Sequence, residues 1–307
     1  MSNIILPVPS SQSVYGLNEA ITYKRILNTS AANDTMSELF PSNLLSTNCK
    51  ILDPVTFETF PDSEPHKGSF LASNLSVMQN LQKRIQSDFN FQNDKLCIVG
   101  GDHSISIGTG AGLSKLIDLS KVGIIYVDAH SDFNTPETSL SKCITGYPCA
   151  VIAGLGLPEF TDLFSGNHVQ KIVQIGIRDI DELELGNLKQ KNVQIYSILD
   201  VEQNGLQTIL KKSLEYLKDC DYIWLSMDID SLDPVYFQQG ETDVPVPGGL
   251  TPRELLYIVR TVEETGKLKV FELTQLNDMG YNTPLVSLSS RLIELGFGLG
   301  HYRYGIN

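Results

Sequence analysis

The chain has 307 residues, with 23 Lys and Arg against 36 Asp and Glu, and a formal charge of −13. Its 41% hydrophobic and 19% charged content is ordinary globular usage, which excludes a disordered or fibrous chain. So acidic a surface repels nucleic acid and anionic membranes, and no apolar run reaches the ~18 residues of a membrane span, so neither partner is expected.

The opening apolar run is interrupted by Pro7 and Pro9 and has no basic segment before it, so no secretory signal is expected. Residues 30–70 are polar and weakly periodic, which predicts loops and short helices around a sheet edge. A helical period follows over 71–89, then an apolar strand over 96–99, with Cys97 inside it, and a helix over 108–119. Strands are predicted at 122–127, 171–177, 222–227 and 268–273, with helices at 206–218 and 252–265. Thr251-Pro252-Arg253-Glu254 opens the last helix with an N-cap hydroxyl, a proline at the first turn and a capping-box glutamate. This alternation predicts βαβ units and an α/β fold, a mostly parallel sheet with helices on both faces. No repeat or linker divides the chain, so a single domain over 1–307 is expected. The five cysteines form no CxxC pair, which suggests reduced thiols and a cytoplasmic protein.

In open α/β sheets ligands bind beyond the carboxyl ends of the strands, and there the chain places its acids and histidines. The segments are Gly100-Gly101-Asp102-His103-Ser104, Asp128-Ala129-His130-Ser131-Asp132, Arg178-Asp179-Ile180-Asp181 and Asp228-Ile229-Asp230. Extended backbone aims Asp128, His130 and Asp132 to one side, and Asp228 and Asp230 repeat the spacing. With His103 they would crowd like charges into one crevice, which is repulsive unless cations sit there. Mixed carboxylate and imidazole donors suit Mn²⁺, and more weakly Zn²⁺, Co²⁺ or Ni²⁺. Six ligands are too many for one catalytic ion and suit two metals per chain. Asp102 and Asp233 read as turn or capping residues. Gly108-Thr109-Gly110-Ala111-Gly112 lacks the GxGxxG form and lies in a predicted helix, so a dinucleotide site is not expected.

These motifs, with Ser226 to Pro234 and Pro247-Gly248-Gly249-Leu250, resemble those of the ureohydrolases, a family including arginase, agmatinase and formiminoglutamase. The resemblance is nearest to arginase, runs from about residue 97 to 300, and is weakest over the first ~95 residues. It implies a three-layer α/β/α sandwich and a dimanganese centre held by His103, Asp128, His130, Asp132, Asp228 and Asp230. It implies hydrolysis of a guanidino or amidino C–N bond of a small molecule by water activated between the metals, with Asp132 relaying a proton. It also implies that Asn134, Ser139 and Ser141 contact the α-carboxylate of an amino-acid-like substrate and Asp181 its α-ammonium. A homo-oligomer, trimer or hexamer, is the family's usual assembly.

Two positions depart from arginase. Thr145 stands where the family has a histidine proton shuttle, and Gln275 where it has an acid that pairs with the guanidinium. Thr cannot titrate near neutral pH, and Gln lacks both the charge and one acceptor. Glu272 is a poor substitute, because strand alternation turns it away from the site. The 235–247 loop, with Gln238, Gln239, Glu241 and Asp243, is also a residue or two longer than expected. The sequence therefore predicts a hydrolase of altered specificity, weak on L-arginine, the alternative being a silent paralogue with a binding or regulatory role.

Overall fold

The computed structural model describes residues 2–10, 48–58, 71–237, 244–276 and 284–299. One parallel sheet runs through it in the order β2-β1-β3-β8-β7-β4-β5-β6. Its strands are β1 (Ser2–Val8), β2 (Cys49–Ile51), β3 (Asp94–Gly100), β4 (Val122–Val127), β5 (Lys171–Ile177), β6 (Gln194–Ser197), β7 (Tyr222–Asp228) and β8 (Leu268–Thr274). The longer helices are α1 (Leu71–Asp88), α2 (Ile105–Ser114), α3 (Glu184–Gln190), α4 (Ile198–Asn204), α5 (Leu206–Tyr216), α6 (Pro252–Glu263) and α7 (Pro284–Gly296).

Helices cover both sheet faces, giving the three-layer α/β/α sandwich. Val77, Met78, Leu81 and Ile85 of α1 pack with Ile105 and Leu113 of α2 and with alternate strand residues such as Ile98, Ile124 and Trp224. The opposite residues, among them Val99, Ile125 and Leu225, meet Ile209 of α5, Ile258 of α6 and Leu292 of α7. Strands buried on both faces explain why the central runs are almost wholly apolar. Burial of this kind supplies about 25 cal/mol per Å² of apolar surface and is the main force holding the layers together.

The Thr251 capping box forms, with Glu254 N donating to Thr251 Oγ1 at 3.3 Å and Thr251 N to Glu254 Oε2 at 2.8 Å. The glycines of α2 serve packing: a Cβ on Gly112 would lie 2.8 Å from Ile85 Cβ, so α1 and α2 approach closely only because none is present. α2 starts at Ile105 and stops at Ser114, where the expectation was 108–119; the chain turns away through a 3-10 turn, Leu119–Lys121, capped by Asp118.

Three strands escaped the sequence reading. β1 carries Pro7, which ordinarily argues against an inner strand. Here β2 ends at Ile51, paired with Ile5, so the missing N–H of Pro7 faces a position with no strand acceptor, and Pro7 O still accepts from Val55 N at 2.9 Å. β2 and β6 are short edge strands with half-exposed or exposed residues, so neither shows an apolar run. The segment over which the resemblance was weakest thus supplies β1 and β2, with β1 paired to β3 along its length. Gln238, Gln239, Glu241 and Asp243 lie outside the described residues. Among the described residues no helix is long and apolar enough to cross a membrane.

Candidate metal centre

The carboxyl ends of β3, β4, β7 and β8 are neighbours in the sheet, so the turns that follow them meet at one edge. Each aspartate there divides its oxygens between loop and centre. Asp128 Oδ1 accepts from His130 N at 2.7 Å, Asp228 Oδ1 from Asp230 N at 2.7 Å, and Asp230 Oδ1 from Ala129 N at 3.2 Å. The first two are Asx-type turns and the third ties the loop after β7 to the loop after β4; together they leave the Oδ2 atoms facing the histidines. His103 Nδ1 lies 2.9 Å from Asp128 Oδ2, 3.0 Å from Asp228 Oδ2 and 3.5 Å from Asp132 Oδ2. His130 Nδ1 lies 3.0 Å from Asp230 Oδ2 and 3.5 Å from Asp128 Oδ1.

Two triads result, His103 with Asp128 and Asp228, and Asp128 with His130 and Asp230, the donor atoms of each within 4.8 Å of one another. Asp128 belongs to both. Asp132 stands beside the first, its backbone in the left-handed region (φ 50°), a strained conformation for a non-glycine residue that recurs at functional sites. Its Oδ2 accepts from Tyr126 Oη at 2.6 Å, and the Tyr126 ring stacks on His103 at 4.4 Å.

The residues fit two hard-to-borderline divalent cations. His103 Nδ1 and Asp128 Oδ2 are buried and make no directed hydrogen bond despite their proximity, a poor arrangement for protein alone and a good one for donors sharing an ion. Burial works against charge on His103 and His130, yet the surrounding carboxylates prevail. Asp128 and Asp228 hold the His103 pKa well above its ordinary value, and Asp230 and Asp128 push that of His130 up to about 12. Burial, and then the charge of neighbouring aspartates, raises the pKa values of Asp132, Asp228 and Asp230. Asp128, between two imidazoles that overcome its burial, is lowered. Such a cluster takes up positive charge from protons when no other cation compensates it.

A layer beneath was invisible to motif reading. His103 Nε2 is 2.8 Å from Ser226 Oγ, and Ser226 Oγ donates to Glu272 Oε2 at 2.9 Å. With its proton directed to Glu272, Ser226 must accept from Nε2–H, which leaves the Nδ1 lone pair of a neutral His103 for the centre. Glu272 also accepts from Ser106 Oγ at 2.5 Å and Thr109 Oγ1 at 2.6 Å. The expectation that Glu272 turns away from the site therefore needs correction: it is no substrate partner, yet two hydrogen bonds connect it to His103. The left-handed φ of 60° at Gln275 breaks the alternation on which that expectation relied. Strand position gave a signal for this layer, since Ser226 precedes Asp228 by two, Tyr126 precedes Asp128 by two, and Glu272 is a charge inside an apolar run.

Gln275 is 4% exposed, its N donates to Gly101 O at 2.6 Å, and its Nε2 lies 3.5 Å from Thr145 Oγ1. Among the described residues its Oε1 has no partner. Asn134 Nδ2 donates to Asp181 Oδ2 at 2.9 Å, and the Ser139 and Ser141 hydroxyls are 3.4 Å apart. Glu184, missed in the sequence, joins these loops, accepting from Phe133 N at 2.6 Å and Asp181 N at 3.1 Å. Asp102 receives Ser104 N, and Asp233 receives Val235, Gly248 and Gly249 N, so both are occupied in turns.

The model of the arginase family matches residues 28–281. The chain belongs to the arginase family. Members of the arginase family, ureohydrolases nearest in this case to arginase, are metal-dependent C–N hydrolases. The chain is 36% identical to an arginase of Neurospora crassa over 228 residues, 70% of this chain and 62% of that protein. It is 32% identical to an arginase of Staphylococcus aureus over 229 residues, 73% of this chain and 74% of the other. Among solved structures, the arginase of Entamoeba histolytica in complex with L-ornithine superposes with a TM-score of 0.81 at 26% identity, covering 97% of this chain and 99% of that one. A formimidoylglutamase of Bacillus subtilis shares the fold, with a TM-score of 0.70 at 20% identity over 98% of this chain and 89% of its own.

Proposed function

We propose that the protein is a two-manganese hydrolase of a guanidino or amidino C–N bond in a small α-amino-acid-like substrate, weak on L-arginine. Family membership and the two triads support the chemistry, and the contact of Gln275 with Thr145 carries the altered specificity. In this reading His103, Asp128, Asp132, Asp228, His130 and Asp230 hold the ions, which when bound lower the pKa of water toward neutrality. Asp132, its Oδ2 anchored by Tyr126, would take a proton from the attacking water and relay it to the leaving nitrogen. Asn134, Ser139 and Ser141 bind the α-carboxylate, and Asp181 the α-ammonium. Gln275 Oε1 accepts an N–H from the reacting end without offering a counter-charge, so a full guanidinium is held less well there than by a carboxylate.

The same reading takes 1–307 as one domain of a cytoplasmic homo-oligomer, trimer or hexamer, in keeping with the free thiols of all five cysteines. A substrate panel assayed with Mn²⁺ tests it. Release of urea, ammonia or formamide from an α-amino-acid substrate other than L-arginine is expected. No turnover by protein holding both ions would favour a binding or regulatory role instead.

A further inference from the structure

We infer that Arg178 is a positioning residue for one ion of the centre: its guanidinium caps the carbonyl end of the turn that carries Asp230. The inference rests on the two-metal reading above. Among the described residues every acceptor of this side chain is a backbone carbonyl. Nε donates to Val246 O at 3.0 Å; Nη1 to Gly176 O at 3.2 Å and Ser231 O at 3.3 Å; Nη2 to Asp230 O at 2.8 Å, Leu232 O at 3.2 Å and Val246 O at 2.7 Å. Three of these carbonyls, those of Asp230, Ser231 and Leu232, are consecutive at the end of the 3-10 turn Ile229–Ser231, where the negative end of the turn dipole favours a cation; Ser231 O also accepts from Leu250 N at 2.8 Å. The Asp230 carboxylate leaves the same turn toward His130.

The backbone of Arg178 holds the other half of the same triad. Arg178 N donates to Ala129 O at 2.8 Å, Asp179 N reaches the same oxygen at 3.1 Å, and His130 forms an isolated parallel bridge with Asp179. Gly176, at φ +93° in the irregular pairing of β5 with β6, bends the chain so that one residue can serve both loops. Arg178 therefore joins the two segments that supply Asp128, His130 and Asp230; Asp228, which caps the same turn, and Asp128 also belong to the His103 triad, but among the described residues Arg178 makes no hydrogen bond to the segment that carries His103. Planar and five-donored, it is replaced only in part by Lys, whose three donors diverge from one point.

The test is Mn²⁺ titration of metal-free wild-type, R178Q and R178K protein, reading bound ions by equilibrium dialysis and the coupled dinuclear signal by electron paramagnetic resonance. The wild type is expected to take two ions per chain. R178Q should take one ion at wild-type affinity, bind the second at least about tenfold more weakly, and lose the coupled signal. R178K should fall between them, and it carries the test should R178Q not fold. Unchanged binding of both ions by either folded variant, or equal weakening of both, overturns the inference and leaves the two-metal reading intact. A wild type that holds fewer than two ions overturns both.

Discussion

The side chains of Gln275 and Thr145 meet, Nε2 to Oγ1, at 3.5 Å, although 130 residues separate them in sequence. The two departures from arginase are thus one feature in space. An amide that spends its N–H₂ on the threonine directs its oxygen away from it, and that oxygen is buried without a partner among the described residues. A neutral acceptor of this kind suits a donor N–H and gives little to a full positive charge. Groups in contact rarely act additively, so substitutions at the two positions should be coupled.

Metal loading should compete with protons. Carboxylates hold the His103 pKa well above its ordinary value and that of His130 up to about 12, which favours the protonated imidazoles in the metal-free protein. An ion can bind them only after those protons leave, so Mn²⁺ affinity should rise with pH and fall as acid is added. Calorimetry in buffers of different ionisation enthalpy near pH 7 should show about one to two protons released per chain on filling the centre. Binding that releases none contradicts the account of the triads.

Glu272→Gln should weaken the ion of the His103 triad by about ten- to a hundredfold, because an amide cannot accept from Ser226, Ser106 and Thr109 at once and the tautomer of His103 is no longer fixed. Loss of one buried acceptor should also lower stability by about 1–3 kcal/mol in urea unfolding. Mn²⁺ titration separates this variant from Arg178 substitutions, which act on the other triad. Wild-type affinity at both sites would contradict the Ser226 relay.

The strands that carry the centre were legible as largely apolar runs, most clearly Val122–Val127, which is wholly apolar and ends at Asp128. β1 was not, because Pro7 disguises a strand whose neighbour stops short of it. The centre's residue types were equally legible from their spacing at strand ends. The support beneath them was hidden for a physical reason: Ser226, Tyr126 and Glu272 come from three strands, and only the sheet register brings them together. Backbone strain at Asp132 and Gln275 leaves no mark in composition, and this is why alternation misplaced Glu272.

Asp181→Asn should raise KM for substrates with an α-ammonium by about 1.5–3 kcal/mol, roughly ten- to a hundredfold, through loss of a charged hydrogen bond. Analogues lacking the ammonium should be little affected, since Asn134 can still donate to the new amide oxygen. Steady-state kinetics on the matched pair measures the difference. Equal losses on both substrates would assign Asp181 to loop structure alone.

The most direct test of the altered specificity is kcat/KM for L-arginine in Mn²⁺-loaded wild type, Gln275→Glu, Thr145→His and the double mutant. Restoring the carboxylate supplies the counter-charge, and the histidine supplies a group that titrates near neutral pH. The account predicts weak turnover by the wild type and a gain in the double mutant of at least about tenfold, or 1.4 kcal/mol of transition-state stabilisation, larger than either single change gives. Robust L-arginine turnover by the wild type, or no gain in a folded double mutant that holds both ions, would contradict it.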